Sequence, residues 1–127
     1  MARPGGRVVV SDPDQESLVI HVSGVRQGVL DRIKALRRDV GYRNGRLASR
    51  LPDVFARLGL HDVSVEGFTL VLTDPADAFG LPTWPRTWRE EGPFSESELE
   101  EWEAAIHGRP KGFLYCVTYL VVAGTKP

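Results

Sequence analysis

The chain has 127 residues, 42% of them hydrophobic and 26% charged, with one cysteine and a formal net charge of -1. That size buries one core; a single cysteine excludes an internal disulfide, and no apolar run approaches the ~20 residues needed to span a bilayer. The balanced charge argues against a strongly basic nucleic-acid binder, and the apolar run Val8–Val10 is too short for a signal peptide, so a cytoplasmic protein is expected.

Pro4-Gly5-Gly6 is turn chemistry, and the β-branched run that follows predicts a strand over 7–11. An apolar run without alternation suits a strand covered on both faces, as in a parallel sheet. Asp12-Pro13-Asp14 reads as the loop that ends it. Val25, Val29, Ile33, Leu36 and Val40 recur at three and four, predicting a helix over 25–40 that stops at Gly41. Leu47, Leu51, Val54, Phe55 and Leu58 predict a second helix over 46–58. Asn44 is placed to cap it, Pro52 lies in its first turns, and Gly59-Leu60 has the form of a Schellman stop.

A strand is expected over 61–73, with a change of phase at Gly67 that suggests a bulge. The Pro-rich stretch 74–93 is a long connection. Ser95 and Glu98 form a capping box, with Phe94 and Leu99 as a hydrophobic staple, for a helix over 96–107. The last strand, over 112–123, is apolar on both faces and belongs in the middle of a sheet; Cys116 within it reads as a buried apolar residue. Charge is split along the chain. Arginines and a lysine dominate 25–58, and glutamates dominate 90–103, which suggests two solvated helix faces of opposite sign that attract each other.

Arg3-Pro4-Gly5-Gly6-Arg7-Val8-Val9-Val10-Ser11-Asp12 resembles the segment leading into the fifth strand of class I S-adenosylmethionine-dependent methyltransferases. Arg43-Asn44-Gly45-Arg46, Arg50-Leu51-Pro52, Phe55 and Leu58-Gly59-Leu60-His61-Asp62-Val63 resemble the helix and sixth strand of the ubiquinone/menaquinone-biosynthesis-like branch. The closing Val121-Val122-Ala123-Gly124-Thr125-Lys126-Pro127 is similar to the end of the seventh strand. The resemblance implies an α/β fold, the C-terminal half of a Rossmann-like methyltransferase domain, as a single domain over 1–127. It implies a three-stranded mixed sheet, one parallel-type strand and then an antiparallel pair, with about three helices. The first and last strands lie side by side, and the 61–73 strand lies outside, antiparallel to the last.

The implied cofactor is S-adenosylmethionine and the implied reaction is methyl transfer to a small apolar acceptor. The family holds its cofactor with a Gly-rich turn after the first strand and an acidic residue ending the second. No G-x-G-x-G occurs in this sequence, so no cofactor-binding residue is assigned and the chain alone is expected to be inactive. The expected partners are a small-molecule substrate and either a second copy, as a dimer, or a separate N-terminal half covering the bare edge of the first strand. Neither nucleic acid nor a membrane is expected as a partner. The alternative is a non-catalytic small-molecule-binding or oligomerisation module derived from the same fold.

The candidate substrate-binding residues are Asp12, Asp14, His21, Arg43, Asn44, Trp84 and Trp88. Asp12 and Asp14 follow the strand end where open α/β sheets bind ligands, although turn capping is the simpler account of them. His21 is a candidate lid residue or a surface histidine. Arg43 and Asn44 occupy family-like positions, with an ion pair and a helix cap as the simpler roles. Trp84 and Trp88 either wall an apolar pocket, plug a core beneath the connection or fill an interface. No metal site and no catalytic base are assigned.

Overall fold

The structure is a computed structural model that describes residues 2–78, 80–88, 90, 94–108 and 110–127. Three strands form one sheet: β1 (Arg7–His21), β2 (His61–Leu72) and β3 (Leu114–Thr125), in the order β1-β3-β2. The expected order is present, with the last strand central. The expected mixed pairing is not, because both ladders are antiparallel. β3 separates β1 from β2, so these two run in the same direction without finding each other as parallel partners. Its central place also explains why β3 is apolar on both faces.

β1 is ten residues longer at its C-terminal end than the run 7–11 expected for it. Asp12-Pro13-Asp14 does not end the strand; it pairs with Leu120, Tyr119 and Thr118. An edge strand tolerates Pro13 because one side of its backbone needs no sheet partner. The turn chemistry instead builds an irregularity between Asp14 and Val19. There the Asp14 carboxylate accepts from the Glu16 N–H at 3.2 Å, and the Asp14 carbonyl accepts from Ser17 Oγ at 2.6 Å. Ser17 Oγ in turn accepts the Thr118 N–H at 2.9 Å, taking up a ladder donor. Five steps along β1 here match two along β3, an odd difference, so the side chains beyond it change faces.

The two core clusters follow from that change. Val8 and Val10 pack with Val122, Leu51 and Phe55 on one side of the sheet. Leu18 and Ile20 join Tyr115, Val117, Ile33 and Trp102 in the larger cluster on the other. β2 carries apolar residues on both of its faces, but Val63 and Val65 are exposed and only Leu70 and Leu72 pack against a core cluster. Val65 lies opposite Val122, whereas Phe68, Leu70 and Leu72 lie opposite Tyr119, Val117 and Tyr115. No bulge occurs at Gly67, which pairs regularly with Leu120; the irregularity lies between His61 and Ser64, beside the positive φ of Asp62. Cys116 is half-buried on the side of β3 opposite Tyr115 and Val117, so it is not the core residue expected.

α1 (Gln27–Leu36) and α2 (Leu51–Arg57) are shorter as regular helices than their apolar periodicities suggest. α1 continues as a single wide π-turn over Arg37–Gly41. A 3-10 turn, Ala48–Arg50, leads into α2, with Pro52 in the first turn where its missing N–H costs nothing. Asn44 caps no helix with its side chain; its carbonyl accepts from the Leu47 N–H at 2.9 Å. The Schellman stop is present: Gly59 has φ 76, its N–H reaches the Ala56 carbonyl, and the Leu60 N–H reaches Phe55. The 74–93 connection carries two 3-10 turns and a short helix, α3 (Trp84–Thr87). α4 (Glu96–His107) has the bounds and the capping box expected, and Phe94 packs against the larger cluster. Glu91 of the acidic run and Pro93 of the connection lie outside the described residues.

The opposite charge runs meet where α1 faces α4. Arg32 grips Glu98, and Arg26 reaches Glu101 at 3.0 Å. The Arg32 bond, together with the Ser95 N–H, lowers the Glu98 carboxyl from 4.5 to about 2. A lowered folded-state value means that the ionised pair stabilises the fold above pH 4.5, and that this contribution is lost as pH falls toward about 2. Glu98→Gln keeps the capping box but removes the charge. Its thermal midpoint is therefore expected below that of the parent at neutral pH and level with it near the acid limit. A gap that persists in acid would place the effect in packing. No helix among the described residues is long and apolar enough to cross a membrane.

Candidate functional site

The segment from the π-turn to the 3-10 turn folds back on itself and leaves a half-open hollow of roughly 280 Å³. Its position is fixed by Gly45, whose backbone lies against the π-turn: a Cβ there would sit 2.1 Å from the Arg38 carbonyl oxygen. Leu47 and Ala48 anchor the far end, Leu47 on the smaller core cluster and Ala48 fully buried. The hollow is lined by Arg38, Arg43, Arg46 and Arg50, with Tyr42 and Asn44 between them and Asp39 as the one carboxylate. Four guanidiniums against one carboxylate give the lining a formal charge of +3.

The arginines differ in how they are engaged. Arg38 holds Asp39 through two bonds of 2.9 and 2.8 Å, and that contact lowers the Asp39 carboxyl below its ordinary value. Arg46 lies 3.8 Å from Asp39 and 3.6 Å from Glu16, loose pairs at an exposed position. Arg43 and Arg50 are exposed and make no ion pair among the described residues.

Tyr42 ties the hollow to the core. Its hydroxyl accepts from Arg37 Nη2 at 3.1 Å, and the Arg37 guanidinium lies 4.3 Å from its ring centroid. The same guanidinium stacks 3.8 Å from the Trp84 ring, while Arg37 Nε is buried without a hydrogen-bond partner. Burial pushes the nearby Tyr115 phenol up to about 12, so it stays neutral beside that cation. Arg37 is therefore held by two aromatic faces and fixes Tyr42 in the hollow's wall.

Of the residues expected to bind substrate, Arg43 and Asn44 come together on the hollow's lining. Trp84 and Trp88 come together with each other, 6.0 Å between centroids. Trp84 is buried in the larger cluster with Trp88 packed against it, so the pair helps to fill the core beneath the connection. Asp12 and Asp14 lie within β1, not beyond its end. Asp14 caps its own irregularity, whereas Asp12 is half-buried and its carboxyl is raised by that burial. His21 is exposed at the last position of β1, where it pairs with Leu114. Arg37, Arg38, Tyr42, Arg46 and Arg50 were not singled out by sequence. The spacing of Arg43, Arg46 and Arg50 by three and four was their signal, and it was absorbed into a solvated helix face.

The described residues do not fit an S-adenosylmethionine cradle. β1 is followed by Val22-Ser23-Gly24-Val25, with one glycine, and β2 is followed by Thr73-Asp74, whose carboxylate already accepts from the Ala76 N–H at 2.9 Å. Neither turn combines close backbone approach with a free carboxylate. Neither protein-family models nor curated proteins give a match to this chain.

Proposed function

We propose that this chain is the substrate-binding C-terminal half of a methyltransferase-like fold, cytoplasmic, and acting in methyl transfer only when a cofactor-binding half is supplied. The observation that carries the reading is the sheet order. The last strand lies between the first and second, the order expected from the resemblance to strands five, seven and six of the family, although both ladders are antiparallel where a mixed sheet was expected. A second observation agrees. Among the described residues no strand lies beside the outer edge of β1, and Val9 on that strand is 60% exposed. An unpaired edge with an exposed β-branched residue is a template for another strand. A separate N-terminal half or a second copy is the partner this reading calls for.

Within that half, the residues of this chain would bind and orient the acceptor. Positioning supplies most of the rate in a transfer whose methyl donor is already activated. Arg43 and Asn44 are the sequence-derived candidates that retain an open, solvent-facing place for that task. The test is a calorimetric titration of S-adenosylmethionine into the purified chain, with its solution mass measured in the same preparation.

A further inference from the structure

We infer that the hollow between the π-turn and the 3-10 turn is an oxyanion site that takes the phosphate or diphosphate group of a small molecule, with Arg43 and Arg50 as its recognising forks. Four like charges gathered around one concavity repel one another; Glu16 beside Arg46, outside the lining, and the lining's own Asp39 carboxylate offset part of that cost. That carboxylate is occupied by Arg38 through both of its oxygens. Two guanidiniums are left facing the hollow with no ion pair among the described residues, and the Asn44 side chain lies between them in sequence on the same lining. Planar guanidinium forks match phosphate oxygens two at a time. A carboxylate offers two oxygens, which one fork uses up. A phosphate dianion or diphosphate offers enough for both forks and an amide.

The hollow is also built to keep its shape. Gly45 presses the turn against the Arg38 carbonyl, and Tyr42 is fixed by Arg37, itself stacked on buried Trp84. Such support lowers the ordering cost that an exposed arginine cluster otherwise carries. The hollow's volume suits a phosphate or diphosphate group more than a polymer track. The inference stands apart from the methyltransferase reading, since it needs neither the cofactor nor the missing half.

The test is titration of pyrophosphate into the full chain at low salt, followed by proton–nitrogen correlation spectra, with chloride at matched ionic strength as the reference. Saturable shifts centred on residues 42–50 are expected, with millimolar or tighter affinity. The double variant R43A/R50A is expected to weaken binding about tenfold or more, since each lost charge-assisted bond removes about as much as a tenfold change requires. Arg43→Lys, which keeps charge but loses the fork, recovers only part of it. Arg57→Ala, whose side chain pairs with Asp53 on α2, leaves binding unchanged. Absence of saturable shifts, shifts spread over all basic residues, or unchanged affinity in the double variant would overturn the site. A duplex oligonucleotide bound more tightly than pyrophosphate, with the same dependence on Arg43 and Arg50, would overturn the small-molecule assignment.

Discussion

Trp102→Ala is expected to destabilise the fold by about 3–5 kcal/mol, the cost of removing a large aromatic side chain from a packed core. Trp102 is 1% exposed on the inner face of α4, within the cluster that includes Ile33, Tyr115 and Val117. Its Nε1–H donates to the Pro82 carbonyl at 3.0 Å, so the variant also leaves that acceptor without its partner. Trp102→Phe retains most of the apolar area and loses the hydrogen bond, for which about 1 kcal/mol is the expected part. Urea denaturation resolves the two, provided that the slope is unchanged and only the midpoint moves. The bond has a structural consequence beyond its energy. It ties α4 to the turn that carries Trp84, and Trp84 supports Arg37 beneath the hollow. A loss below about 1 kcal/mol in Trp102→Ala would mean that α4 is not packed as described.

Gly45→Ala is the second large effect, and it separates the hollow from the sheet. Its φ is not among the positive values, so alanine brings no backbone strain of the left-handed kind. The obstacle is contact: the new Cβ would lie 2.1 Å from the Arg38 oxygen and 2.9 Å from its carbonyl carbon. Neither atom belongs to a flexible side-chain end, so the turn must move away from the π-turn. Overpacking of this kind costs about 1–3 kcal/mol. The expected signature is a lowered stability with altered amide signals over 38–50 and intact signals along β3. Gly28→Ala is the control, because a Cβ in that part of α1 meets nothing within 4 Å. There a gain of about 0.5–1 kcal/mol is expected from helix propensity and the narrower unfolded ensemble. Equal losses in both variants would remove the contact at Arg38 as the cause.

The parts of the fold legible in the sequence were those whose signal is local. The Ser95 and Glu98 capping box fixed the start of α4, and Gly59-Leu60 stopped α2, because each motif satisfies backbone groups within one turn. The central place of β3 was legible because only a strand covered on both sides is apolar on both. The length of β1 was not. Asp12-Pro13-Asp14 carries turn residues, yet pairing with β3 extends the strand through them, and their capping capacity goes into an irregularity within it. Gly67 misled for a related reason. Leu70 and Leu72 pack against the larger cluster, whereas Val63 and Val65 lie exposed and join neither cluster, so the change of apolar phase along β2 marks where the strand leaves the core and needs no bulge. The hollow was half legible. Arg43 and Asn44 were found through resemblance, but Tyr42, Arg46 and Arg50 depend on a π-turn and a Gly45 contact that bring separate turns together. Trp84 was visible as an unusual residue, and its role as the platform for Arg37 appears only in three dimensions.

Under the proposed function, this chain would hold the acceptor side of a methyltransferase-like fold without its cofactor side. Calorimetric titration of S-adenosylmethionine into the purified chain, at a concentration where its mass is also measured, tests it most directly. The expected result is no binding isotherm for the chain alone and a mass showing association through the bare β1 edge, with binding appearing only when a cofactor-binding half is added. Micromolar binding of S-adenosylmethionine by the chain alone would contradict the account, as would a monodisperse monomer at high concentration with that edge uncovered.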